Sequence, residues 1–93
     1  MATYHDLLTL SDSTATELTP GANHSGLDVT IQNVDETAIV YLGASNVTAS
    51  DYGFKLDPGA GFSVELNPRD RLYAISDTNE SNAALLRVFL EDL

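Results

Sequence analysis

The residues to question first are His5 and His24, because a neutral imidazole is a common proton shuttle and metal ligand. His5 stands near the start of the chain and His24 in a stretch of Ala, Asn, Ser and Gly. Neither has a Ser, Cys or Asp at the spacing of a nucleophilic triad, and the chain holds no Cys to complete a zinc site. Both read as exposed or turn-satisfying side chains. Carboxylates are plentiful, but acid–base chemistry needs one of them in an apolar pocket that raises its pKa. A chain of 93 residues has little interior for such a pocket.

Asp51, Asp57, Asp77 and Glu80 fall in polar, loop-like stretches where a Ca²⁺ ion could gather them. The Asp-x-Asp-x-Asp-Gly loop pattern is missing, and solvated carboxylates are the plainer reading. Asn23-His24-Ser25, Asn46-Val47-Thr48 and Asn79-Glu80-Ser81 match the glycosylation triplet, as expected by coincidence in a chain rich in Ser, Thr and Asn. Gly59-Ala60-Gly61 separates two strands and opens no helix, so it fails as a phosphate loop. These residues point to no catalytic, cofactor or metal site, and the expectation is a protein that is not an enzyme. The aromatics Tyr41, Tyr52, Phe54, Phe62, Tyr73 and Phe89 are either a contact face or the core of a sheet protein. The phenylalanines suit the core, while Tyr4 and Tyr52 suit either.

The elements that must hold these side chains are strands. Val29-Thr30-Ile31 and Ala38-Ile39-Val40-Tyr41-Leu42 flank the polar Asn33-Val34-Asp35-Glu36, which predicts a β-hairpin. Phe62-Ser63-Val64-Glu65-Leu66 alternates strictly, putting Phe62, Val64 and Leu66 on one face. Asp6–Leu10, Phe54–Leu56, Leu72–Ile75 and Leu85–Leu90 complete the list, with residues 1–4 as a loose tip. Pro20-Gly21 and Pro58-Gly59 each predict a type II turn, where Gly supplies the positive φ. No stretch shows a sustained helical period. The expectation is one all-β domain over 1–93, an antiparallel sandwich or barrel of seven to eight strands. Glu17-Leu18-Thr19-Pro20-Gly21-Ala22 is echoed by Lys55-Leu56-Asp57-Pro58-Gly59-Ala60. Either common turn material recurs, or two Greek-key halves make a jelly-roll-like sandwich.

Charge excludes some partners. With 14 Asp and Glu against 4 Lys and Arg, the formal net charge is −10. Nucleic acid and anionic membranes repel such a chain, and Lys55, Arg69, Arg71 and Arg87 are too scattered for a phosphate track. The acid excess serves solubility, a basic partner or a high-salt environment. No apolar run has the length of a transmembrane helix, and the N-terminus shows no signal-peptide pattern. Without disulfides or a metal staple, reinforcement is expected from packing against a copy or a partner.

The run AIVYLGASNVTASDYGFKLDPGAGFSVEL, Ala38 to Leu66, with the strands that follow it, resembles small β-sandwich proteins among the virion structural genes of tailed bacteriophages. The resemblance covers Leu27 to the chain end and supplies no catalytic residue. It implies a capsid decoration (cement) protein, made in the host cytoplasm and bound to the virion surface on the major capsid protein lattice, as a dimer or trimer. A receptor- or carbohydrate-binding module of a tail or fibre is the alternative. In the first case residues 1–10 are expected to be an extended arm that grips the shell through Tyr4, His5, Asp6, Leu7 and Leu8. In the second, the expected contact surface is the 43–53 loop with Tyr52 as its anchor, or the Ser76 to Asn82 loop.

Overall fold

The computed structural model describes residues 2–19 and 26–89. Eight strands form two antiparallel sheets: β1 (Ala2–Leu10), β2 (Thr16–Glu17), β3 (Leu27–Asn33), β4 (Val40–Gly43), β5 (Phe54–Leu56), β6 (Gly61–Leu66), β7 (Tyr73–Ser76) and β8 (Ser81–Phe89). One sheet has the order β1-β8-β3-β6 and the other β2-β7-β4-β5. Strand 1 thus lies beside 8, 2 beside 7, 3 beside 6 and 4 beside 5, the pattern of one long hairpin. Wrapping it adds the β3–β8 and β4–β7 pairs, and this is jelly-roll topology. The expected all-β sandwich is therefore what the chain forms.

Alternation decides which residues meet between the sheets. Leu27, Val29 and Ile31 of β3 and Ala83 and Leu85 of β8 are buried from one side, and Val40, Leu42, Leu56 and Ala74 from the other. Leu10 and Leu18 close the same cluster. In both copies of the echoed motif the Leu, Leu18 and Leu56, is wholly buried just before the chain crosses from the second sheet to the first. The second turn is as expected: Ala60 N–H donates to the Asp57 carbonyl at 2.9 Å, and Gly59 has φ 84°. The Pro20-Gly21 turn lies outside the described residues, as does His24.

The central hairpin needs correction. β3 pairs with β6 and β8, and β4 with β5 and β7, so the two runs lie in different sheets and never pair. The 34–39 connection is an arch between the sheets. The reason is Asn33, which is wholly buried where a hairpin would expose its loop. Its side-chain amide donates to the Ala38 carbonyl at 2.7 Å and the Leu56 carbonyl at 3.1 Å, tying the end of β3 onto the opposite sheet.

Residues 2–4, expected to be loose, extend β1. Its register with β8 runs from Ala2 opposite Phe89 to Leu10 opposite Ser81. The expected arm over residues 1–10 is accordingly, from Ala2 onward, the edge strand of the chain's own first sheet, and Leu10 anchors it in the core.

Candidate functional site

The two sheets differ in length. The first has strands of nine, nine, seven and six residues, while those of the second are two, four, four and three. A short sheet cannot cover a long one, so side chains of the long sheet remain open at both of its edges. At the β1 edge only two residues of β2 stand opposite nine of β1.

Five of the six expected contact residues lie together on this edge. Leu8 and Leu10 face the core, so alternation also turns Tyr4 and Asp6 inward and His5 and Leu7 outward. Leu7 is 64% exposed and Tyr4 55%, the two most exposed large apolar side chains among the described residues, and they lie on opposite faces of one strand. The Tyr4 ring meets Phe89 edge-on, with centroids 5.5 Å apart. On the outer face His5 stands opposite Leu86 and Leu7 opposite Ala84, and with Thr30 and Gln32 they line a shallow groove of about 330 Å³. Arg87, opposite Tyr4, has a buried Nε without a hydrogen-bond partner among the described residues.

Tyr52 is not part of this edge. Residues 44–53 fold back over the outer face of the second sheet, where Val47 is buried against Tyr41 and Ile75. Gly53 N–H returns to the Leu42 carbonyl at 2.8 Å, and the Tyr52 ring lies on Tyr41 with centroids 4.6 Å apart. At 45% exposure, Tyr52 is half of a packed pair.

The loop carboxylates also have local duties. Asp77 accepts the Ile39 N–H at 2.8 Å, and Asp57 lies 3.8 Å from Lys55. Among the described residues no three His, Asp or Glu side chains are placed to share a metal ion.

Sequence reasoning missed a second opening, between β5 and β6. Phe62, Val64 and Leu66 do share a face, as their alternation predicts, yet they are only half-buried because β5 is three residues long. With Leu42, Phe54 and Leu72 they line an apolar cleft of about 260 Å³, and Phe54 packs on Phe62 at 4.6 Å between centroids. The signal was the brevity of Phe54-Lys55-Leu56 between Gly53 and Pro58.

Compared with known proteins, the chain matches no family model, and no curated protein or solved structure is similar enough to count as a match.

Proposed function

We propose that this chain is a non-enzymatic structural component of a bacteriophage virion, a capsid decoration protein that binds the assembled shell and stabilises it. The observation that carries the assembly role is the β1 edge. Among the described residues a nine-residue strand keeps one side unpaired and exposes Leu7 and Tyr4 on its two faces. Free strand edges are normally blunted by Lys, Pro or a bulge, because their open N–H and C=O groups invite another strand. β1 has neither Lys nor Pro, and its one inward-turned charge is Asp6. The virion assignment rests on the resemblance of Ala38–Leu66 to phage structural proteins, and the acid excess suits a protein that stays dispersed until it meets its lattice. Docking that requires the folded sandwich would in turn stabilise it.

The test is copy number in gradient-banded particles of the virus that encodes the chain, measured by quantitative protein staining. Copies scaling with the major shell protein are expected. A handful per particle would move the chain to a tail or fibre, and absence would overturn the virion reading.

A further inference from the structure

We propose that the β1 edge is closed by the β1 edge of a second copy, so that two four-stranded sheets join into one eight-stranded sheet across a two-fold axis. This rests on the reading of β1 as the assembly contact and names its occupant. Three observations favour a strand, and this strand in particular.

The first is that Leu7 and Tyr4 project from opposite faces of β1. A partner lying flat on either face covers one of them, whereas a strand added at the edge covers both and satisfies the open backbone groups as well.

The second is charge. The chain carries 14 acids, and Asp6 is the single one in β1. Of the sheet edges, β5 has no acid but is three residues long, and β6 has one acid in six residues. With one acid in nine, β1 is the longest edge along which two copies of a −10 chain can meet with little repulsion. The other edge of the same sheet, β6, is shorter at six residues and points Ser63 and Glu65 outward.

The third is register. A two-fold axis normal to the sheet keeps each face on its own side, so a residue of one copy can oppose only residues of like parity in the other. Centring on Asp6 sets two carboxylates against each other, which opposes pairing. Centring on Leu7 leaves Asp6 beside the apolar Leu8 of the partner. Centring on His5 places Tyr4 opposite the partner's Asp6, and Asp6 opposite the partner's Tyr4, so that two phenols donate to two carboxylates. Leu7 then lies opposite Thr3 of the partner subunit, and the ladder runs from residue 2 to residue 8. The structure assigns the axis to His5.

The chain has no cysteine, so a single introduced thiol reports the register directly. Directly opposed residues of antiparallel strands have Cα atoms about 4.5–5.5 Å apart, within disulfide range. The purified chain is used, which separates this test from the virion reading. His5→Cys, Asp6→Cys and Leu7→Cys are each oxidised with a mild oxidant, and the unmodified chain is sedimented over a concentration series. A dimer in sedimentation, with His5→Cys giving the dominant cross-linked species, is expected. Leu7→Lys puts an edge-blunting charge into the ladder and should raise the half-dimer concentration about tenfold or more, with the monomer still folded by circular dichroism. A monomer at every concentration would overturn the proposal, as would cross-linking that favours position 6 or 7.

Discussion

The side-chain amide of Asn33 donates to the Ala38 carbonyl at 2.7 Å, joining the end of β3 to the far end of the arch that leads into β4 in the opposite sheet. Its second hydrogen goes to the Leu56 carbonyl at 3.1 Å, and its oxygen accepts the Asp35 N–H at 3.1 Å. One wholly buried side chain thereby serves three backbone groups from two segments where the chain changes sheets. Asn33→Ala leaves two carbonyls and an amide without this partner. Buried polar groups cost ~1–3 kcal/mol each when orphaned, so a loss of about 3 kcal/mol is expected. Chemical denaturation with an unchanged slope checks it. Asn33→Asp should be worse, because a carboxylate would face two carbonyl oxygens and must protonate to donate even one bond.

Asp35 gives the same arch a pH dependence. Its carboxylate accepts the Thr37 N–H at 3.1 Å and the Ala38 N–H at 3.2 Å. Those amides, Thr37 foremost, hold its pKa below the ordinary 3.8 against an opposing push from burial. A carboxyl whose pKa is lowered by folding stabilises the fold above its unfolded pKa, and the effect fades as pH falls through the folded value. Thermal stability should therefore hold down to about pH 4 and then decline. Asp35→Asn keeps an acceptor but cannot titrate. Its decline below pH 4 should be shallower than that of the parent chain, and identical acid profiles would refute the assignment.

Ser76 and Ser81 form a buried hydroxyl pair at the β7–β8 turn, with oxygens 2.6 Å apart. The direction of the bonds follows from counting protons. Ser81 donates to the Thr78 carbonyl at 2.6 Å, so Ser76 must donate to Ser81 while accepting the Thr78 N–H at 3.1 Å. Ser81→Ala orphans the Ser76 proton and the Thr78 carbonyl, at a cost of about 2 kcal/mol. Replacing both serines by Ala should cost less than the sum of the two single changes. A double-mutant cycle measures that coupling, and additive costs would mean the hydroxyls act independently.

Particular residues show how much of this was legible. The alternation of Phe62, Val64 and Leu66, the Pro58-Gly59 turn and the repeated Leu18 and Leu56 carried the strands and the sandwich. They report local backbone preference and burial, which sequence encodes directly. The partner of each strand was not legible. Val29–Ile31 and Ala38–Leu42 flank a polar loop whether they form a hairpin or an arch, and the choice was made by where Asn33 finds acceptors, one of them 23 residues along the chain. The β1 edge was found only in part. Tyr4 to Leu8 were grouped, but on an arm, because pairing between Ala2 and Phe89 is a contact across nearly the whole chain.

The 44–53 loop shows the same limit, and Tyr52 tests it. The ring of Tyr52 packs on Tyr41 at 4.6 Å between centroids, and Val47 of the same loop is buried against Tyr41 and Ile75. A Tyr that anchored a ligand could be truncated without loss of stability. This one should instead cost about 1–2 kcal/mol as Tyr52→Ala, since roughly half of an aromatic side chain loses its cover. Gly43 provides the independent check. A Cβ at that position would sit 3.1 Å from Val47 Cγ2 and 3.2 Å from Val47 Cβ, so Gly43→Ala makes the Val47 side chain give by a few tenths of an ångström and loosens its packing under the loop. Both variants should lower the melting temperature, by about 4–8 °C per kcal/mol lost in a domain of this size. Both should also speed amide exchange at Val47 and Gly53, whose N–H groups are held at 2.9 and 2.8 Å by the Ala44 and Leu42 carbonyls. If Tyr52→Ala melted like the parent chain, the Tyr41–Tyr52 contact would hold nothing in place, and Tyr52 would again be open to a role in binding.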